Sequence, residues 1–465
     1  MEAWFDHLFL SRLQFALTTG FHILWPLLSI GLSLFLVLME ALWLKTGEVS
    51  YYHHCRFWSR LFILNFAVGV ASGLPLQFQF GANWSRFSAA TGGFFGHLLG
   101  FEATLAFMLE AAFLGIMLSG WKRVPRGLHF FSTCMVALGA SLSAFWIMVA
   151  NSWMQTPAGG TFIAGRFLVT DYWQAVFNPD MPWSVLHMWV ACLETTLFVI
   201  GGISAWCLLR KQQPDFFARS FKIAFFAAIL IAPLQVFLGD ASGRAIAVTQ
   251  PAKVAAIESH WQTNPQGQGA PWKPLAWPDA AKQDNAWALE VPYGLSLLLT
   301  HSLTGRVQGL RDFPREDRPP VVIPFYSFRV MAGVGFFLAF LMLWTLWVWY
   351  QGRLNPAKIG EHPKLLYAWV AAIPLGYVAV ETGWITREVG RQPWVIYGLL
   401  RTSEAASPLP AGAVATSLLA YALIYALLFL GFLIFARRLI LKGPDLTLVP
   451  PARPQPGTKS PTEGR

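Results

Sequence analysis

Long apolar runs separated by short, polar and mostly basic segments dominate the chain. A helix needs roughly 20 apolar residues to cross a bilayer core, and nine stretches reach that length, near 15–42, 54–79, 95–120, 127–151, 184–209, 218–239, 325–350, 365–386 and 412–437. A further apolar stretch, Tyr293 to Leu303, is too short to span and reads as interfacial or buried. The pattern predicts an all-α polytopic membrane protein, a bundle of nine transmembrane helices. It divides the chain into 1–240 with six spans, a long segment over 241–324, 325–442 with three spans, and a Pro-rich, polar tail over 443–465 expected to be disordered.

Composition agrees. The chain is 55% hydrophobic and 12% charged, whereas soluble domains carry roughly 25% charged residues. The net charge of +10 does not point to nucleic acid, because the basic residues sit in clusters between apolar runs instead of on one face. Cys55, Cys134, Cys192 and Cys207 form no CxxC pair and no CxxCH haem-attachment motif; they read as core residues, and any haem would be held non-covalently. The segment Met1 to Gln14 has acidic Glu2 and Asp6 and no basic start, so it does not read as a signal peptide.

Orientation follows from Lys and Arg in short loops, which resist translocation. One side holds sixteen, among them Lys45, Lys122, Arg123, Arg210, Lys211, Arg353, Lys358, Arg437 and Arg438; the other holds six, Arg12, Arg86, Arg166, Arg387, Arg391 and Arg401. The expectation is an N-terminus outside and a C-terminus in the cytoplasm, with 241–323 outside.

A charged side chain within a span costs about 2.5–3.5 kcal/mol on insertion scales, so each one calls for a reason. Of ten histidines, only His22 and His187 lie well inside predicted spans; His97 and His129 fall near span ends. Odd-numbered spans run inward, and His22, Glu102, His187 and Met331 are all early in odd spans, while Glu388 follows the outward-running eighth. At 1.5 Å per residue each sits roughly 5–12 Å from the outer helix ends. Singly, a histidine or methionine here is explained by packing; the shared depth argues for a site. A His/Met pair suits a low-spin electron-transfer haem, whereas an oxygen-binding haem needs an open position, and His22 and Glu388 can each supply one ligand on different helices.

Three other patterns carry chemistry. Glu102 and Glu110, eight residues apart on one helix, suit a carboxylate proton relay. Trp384, Glu388 and Arg391 share a face if their helix continues, and suit iron ligation with a guanidinium fastening a propionate. The stretch Lys253 to Trp261, with Glu258, reads as a short amphipathic helix that would cover a quinol head group at the membrane surface.

These residues lie in recognisable motifs. Ser11 to His22 (SRLQFALTTGFH) resembles the opening of cytochrome bd quinol oxidase subunit I, and Gly390 to Trp394 (GRQPW) is similar to its signature. Further matches are Asn83-Trp84-Ser85, Phe101-Glu102, Leu109-Glu110, Asn151 to Pro157 (NSWMQTP), Gly239-Asp240 and Phe328 to Met331 (FRVM). The resemblance runs from Arg12 to about the ninth span. It implies low-spin haem b on His187 and Met331 with Arg329 beside it, and His22 and Glu388 serving a high-spin haem b and a third haem of d or b type. It also implies Glu102 at the oxygen-reducing haem, Glu110 on a proton route, Arg12, Trp384 and Arg391 among the haem-binding residues, and Lys253 and Glu258 in a quinol-binding loop. Val395 to Thr402 (VIYGLLRT) resembles the cyanide-insensitive branch, in which a b haem replaces haem d.

The implied function is a respiratory terminal oxidase of the bacterial cytoplasmic membrane, oxidising ubiquinol or menaquinol outside and reducing oxygen to water with protons from inside, without pumping. Its implied partners are a second membrane subunit and a small single-helix subunit. A haem-copper oxidase needs more membrane histidines than these two, and a cofactor-free transporter using Glu102, Glu110 and Arg329 would lack visible absorption.

Overall fold

The computed structural model describes residues 6–451. Among them, nine helical segments are long and apolar enough to cross a membrane, in the order the sequence predicts. The first is α1 (His7–Thr46), opened by Asp6, whose carboxylate accepts from Phe9 N, and closed by Gly47 at φ 75°, a left-handed cap that glycine adopts without strain. It is followed by α2 (Val49–Ala82) and the short α3 (Ser85–Thr91). The third span is composite: α4 (Phe95–Phe101), a π-helical turn (Glu102–Phe107) and α5 (Met108–Ser119). Then come α6 (Arg126–Gln155), α7 (Tyr172–Val176), α8 (Met181–Leu209), α9 (Pro214–Thr249), α10 (Pro251–Ile257) and α11 (Gly294–Thr300). The last spans are α12 (Val322–Tyr350), the pair α13 (Pro363–Ala372) and α14 (Leu375–Val389), and, after α15 (Thr402–Ala405), α16 (Ala411–Lys442).

Close approach between helices rests on small residues, as expected where lipid and side chains are equally apolar. The hub is α8, which packs on α1, α6, α9, α13 and α14. A Cβ built on Gly31 of α1 would fall 2.1 Å from Thr196 Oγ1, and one on Gly201 would fall 2.3 Å from the Trp369 ring. By contrast α16 is the least enclosed span, with Leu419, Leu423 and Leu427 exposed on one stripe.

At one end of the bundle the connections are short and stitched together: Arg219 pairs with Glu48, Gln213 Nε2 donates to Pro444 O at 3.0 Å, and His53 Nε2 lies 3.0 Å from Leu448 O. Nearby, buried Glu40 joins His129 Nδ1 at 2.6 Å and Thr133 Oγ1 at 2.7 Å. The opposite end carries the long segments and three antiparallel hairpins in an otherwise helical chain: β1 (Gly160–Ile163) with β2 (Arg166–Val169), β3 (Trp272–Asp279) with β4 (Asp284–Val291), and β5 (Trp394–Ile396) with β6 (Leu400–Arg401).

Several expectations change. The sixth span does not end near 240; α9 continues to Thr249. The tail expected to be disordered is docked over its first residues by the bonds to Pro444 and Leu448, while 452–465 lie outside the described residues. All four cysteines are free, and Cys134 alone is not fully buried.

Replacing Gly31 with alanine forces a methyl group into Thr196. We expect a loss of about 1–3 kcal/mol, the usual cost of overpacking, read as a lowered thermal midpoint of the intact membrane complex.

Candidate cofactor and substrate site

At the hairpin-bearing end, α14 delivers Arg387 and Glu388 from its last turn, and the chain beyond it delivers Arg391. Arg387 Nη2 lies 2.6 Å from Asp180 Oδ2, and its Nε donates to Asn151 Oδ1 at 2.6 Å. Glu388 Oε1 accepts from Asn151 Nδ2 at 3.0 Å and Gln155 Nε2 at 3.1 Å, and its other oxygen pairs with Arg391. Lys253 Nζ donates to Gln155 Oε1. Three basic side chains therefore meet two carboxylates; Lys253, Asp180 and Arg391 are buried, while the Glu388 side chain keeps 34% of its surface exposed. The basic side chains outnumber the acidic ones by one, and Arg391 Nε and Nη1 are buried without a partner. Because buried guanidinium atoms are costly to leave unpaired, this end is built to receive an anionic group. The helix expected to carry Trp384, Glu388 and Arg391 together ends at Val389, yet the turn at Gly390 still brings Arg391 back onto Glu388.

The stretch around Lys253 is not an amphipathic surface helix. Every residue of α10 from Ala252 to Ile257 is buried, Lys253 with 1% exposure. Burial pushes the Lys253 ammonium well below its ordinary range, and Arg387 and Arg391 push it further down. Its stem packs at Gly390, where an added Cβ would lie 3.1 Å from Lys253 Cγ. Glu258, at the other end of α10, faces elsewhere: it pairs with Arg329 Nη2 at 2.7 Å. The same guanidinium donates to Lys273 O at 2.8 Å and Pro274 O at 3.2 Å, fastening the β3–β4 hairpin to α12.

Three of the four expected iron ligands stand against a glycine. Met331 Sδ would be 2.9 Å from a Cβ at Gly383, His187 Cε1 3.3 Å from one at Gly239, and His22 Cε1 2.9 Å from one at Gly73. His22 Nδ1 lies 3.0 Å from Ser72 Oγ, and that hydroxyl donates to Gly69 O at 3.0 Å. With its one proton committed, Ser72 accepts from Nδ1–H. Nε2 then keeps its lone pair, the tautomer a metal ligand requires. His187 Nδ1 and Trp384 Nε1 are buried without partners. Arg12 stands on an exposed turn of α1, ten residues or about 15 Å before His22.

Glu102 and Glu110 are brought onto one line by the π-helical turn. In a regular helix, eight residues leave two side chains roughly 80° apart; a π-bulge absorbs one residue and reduces this to about 20°. Both face one stripe of α6: Ser143 Oγ donates to Glu102 Oε1 at 2.7 Å, and Glu110 Cβ would be 2.9 Å from a Cβ at Gly139.

Three residues of this site receive no role from the sequence, although Gln155 lies within the Asn151 to Pro157 match. Asp180 lies between spans, and nothing in its spacing connects it to Arg387. Gln155 is an uncharged residue bridging Lys253 to Glu388. Glu381, a carboxylate within the eighth span, has a signal that was available, since any intramembrane carboxylate calls for a reason.

Among the described residues no three His, Cys, Asp or Glu side chains gather to hold a bare metal ion. Potential ligands come singly on separate helices, beside unpaired indole, imidazole and guanidinium nitrogens. That donor set fits porphyrin iron, whose macrocycle leaves the protein only the axial positions. The fold thus defines a polytopic membrane protein, and its singly placed donors fit redox cofactors held without a covalent bond. Residues 10–444 match the family described as "Cytochrome bd terminal oxidase subunit I", and the chain belongs to that family. It is 38% identical to "Cytochrome bd ubiquinol oxidase subunit 1" of Bacillus subtilis (strain 168), over 91% of each chain. It is 35% identical to "Cytochrome bd-II ubiquinol oxidase subunit 1" of Escherichia coli (strain K12), over 95% of this chain and 97% of that one. The solved bd oxidase structure from Geobacillus thermodenitrificans superposes with a TM-score of 0.86 at 31% identity, covering 95% of this chain and 99% of that one.

Two outcomes follow. Glu258→Ala leaves the Arg329 guanidinium, 12% exposed, without its carboxylate, at a cost of about 3–5 kcal/mol for a broken buried pair; hydrogen exchange over 272–291 should rise sharply while the spans stay protected. His260, buried with Nε2 3.2 Å from Val307 O, is lowered to about 4 by burial and then by Lys273. It stays neutral in the folded loop while an unfolded loop would protonate near 6.5. The folded loop therefore loses stability as pH falls from about 6.5 to about 4, and exchange around 260–310 should rise across that window and level off above it.

Proposed function

We propose that this chain is the haem-carrying subunit of a bacterial cytoplasmic-membrane oxidase that takes electrons from quinol and reduces oxygen to water. The observation that carries the reading is the buried Arg391, with two of its nitrogens unpaired, beside Glu388 at the end of the helix that also meets Met331. Bound haem would supply one-electron redox chemistry and, where an axial position is open, a place for oxygen. His187 and Met331 would hold the low-spin haem b, His22 through Nε2 and Glu388 the two high-spin haems, of which the third is d or b type. Arg391 would pair with a propionate, and Trp384 would give its indole N–H.

For quinol, Glu258 is the group placed to accept a hydroxyl proton, since it stands at the end of α10 with its carboxylate 2.7 Å from Arg329 Nη2. Buried Lys253 acts as a positioning residue: it ties α10 to Gln155 and so to Glu388. Ubiquinol and menaquinol share this hydroquinone chemistry. Glu102, held by the Ser143 hydroxyl, and Glu110, which faces the same stripe of α6, form the acid groups of a proton route from the opposite end. If the N-terminus is outside, as the basic loops argue, quinol protons leave outside and oxygen receives protons from inside, with no pump. The second membrane subunit would cover the apolar outward face around α16, with a small single-helix subunit beside the pair.

A reduced-minus-oxidised optical spectrum of the purified two-subunit complex tests this directly. Visible haem bands are expected, with or without the red-shifted band of haem d; a colourless intact complex would overturn the reading. Met331→Leu should abolish the low-spin signal while the protein still inserts, and a normal low-spin spectrum in that variant would remove the assignment.

A further inference from the structure

Glu381 lies two turns before Glu388 on α14 and points to α1: its Oε2 would be 3.2 Å from a Cβ at Gly20, two residues before His22. Its other oxygen, Oε1, is buried and has no hydrogen-bond partner. Nor is it alone. Thr19 Oγ1, adjacent to Gly20, and Trp384 Nε1, one turn on from Glu381, are likewise buried and unpartnered. Three polar atoms within a helical turn of one helix–helix contact are left without protein partners. Such groups are characteristically satisfied by ordered water, which takes about three hydrogen bonds from otherwise unsatisfied buried atoms.

The face of α14 decides where this pocket opens. Successive residues turn by about 100°, so Glu381 and Glu388, seven apart, point in nearly the same direction, whereas Gly383, against Met331, points away. Glu381 therefore belongs to the side of α14 that holds Glu388 and faces His22. It does not share the α6 stripe of Glu102 and Glu110. The titratable groups near this length of α14 are His22 on α1, His187, Cys192 and Glu194 on α8, and Tyr377, Arg387 and Glu388 on α14 itself; α13 carries Lys364 and Tyr367 in its first turns, and α12 offers none between Arg329 and Tyr350.

From this geometry we propose that Glu381, with Thr19, holds water between α1 and α14 and serves as a second proton-carrying carboxylate of the oxygen-reducing centre, separate from the Glu102–Glu110 route. The inference rests on the oxidase reading above. When an electron supplied by quinol arrives at that centre, the Glu381 carboxylate becomes a carboxylic acid by taking up one proton relayed from bulk solvent through the water it holds, each water that passes a proton on receiving another in its place. It gives that proton to oxygen as oxygen is reduced, one proton per electron, so that no uncompensated charge accumulates in a low-dielectric place.

The test uses the intact two-subunit complex carrying Glu381→Gln and, separately, Thr19→Val. Three readouts are needed: the optical spectrum, the redox-induced infrared difference spectrum in the carboxylic-acid C=O region, and dye-detected proton uptake in a single turnover. In Glu381→Gln the haem bands should persist, one carboxylic-acid band should vanish, and one phase of proton uptake should slow by about 100-fold, the lower range for loss of a positioned acid–base group. In Thr19→Val the same band should shift without vanishing. Unchanged infrared bands and proton uptake in both variants would make Glu381 a packing residue and end the proposal. Should Glu381→Gln fail to assemble, an unshifted band in Thr19→Val overturns it alone. Wild-type protein without haem bands would instead sink the oxidase reading.

Discussion

The carboxylate of Glu388 and the cations around it set the constraint on which this end of the bundle depends. An ionised group removed from water survives only where its partners are fixed, and here they come from four separate stretches: Asn151 and Gln155 on α6, Asp180 before α8, Lys253 on α10, and Arg387 and Arg391 at the end of α14. None of these elements can shift without leaving a charge unpaired. The cluster therefore does for the end of the bundle what glycine-mediated contacts do for its middle, and it does so while leaving two Arg391 nitrogens without a protein partner.

Through α10 the same constraint reaches the other redox position. Lys253 binds the Glu388 side, and Glu258, five residues later, binds Arg329, two residues before Met331. A helix of under two turns thus spans from one candidate cofactor site to the other, and its full burial leaves it no freedom to swing. Arg329 also holds the β3–β4 hairpin by two backbone carbonyls, so the segment outside the spans is docked through the same guanidinium that stands beside Met331.

The spans and their order were legible because transmembrane length is a local property of the chain. The layer expected of His22, Glu102, His187, Met331 and Glu388 rests on the same local property, since depth follows from position along a helix. What escaped was whatever depends on rotation or on partners distant in sequence. The π-helical turn that aligns Glu102 with Glu110 is not encoded in their spacing. A Lys-to-Trp stretch with alternating character looks amphipathic whether its surroundings are water or protein, and only the cover provided by α6, α9 and α12 decides that α10 is buried. Asp180 and Gln155 carry no motif that ties them to the end of α14, and Glu381 was passed over because no motif surrounds it.

One helix, α14, explains how two kinds of site coexist a short distance apart. Gly383 and Thr386 turn toward α12, where they meet Met331 Sδ and the Ser327 hydroxyl at 2.9 Å, while Glu381 and Glu388 turn toward α1 and α6. Helix axes in contact lie roughly 8–10 Å apart, so groups gripped on opposite faces of α14 are held at a separation fixed by the thickness of a helix and not by any flexible segment. Both sides also inherit one axial register. A change in the pitch or tilt of α14 must move the Met331 contact and the Glu388 cluster together, which makes this helix the element through which the two sites are mechanically coupled.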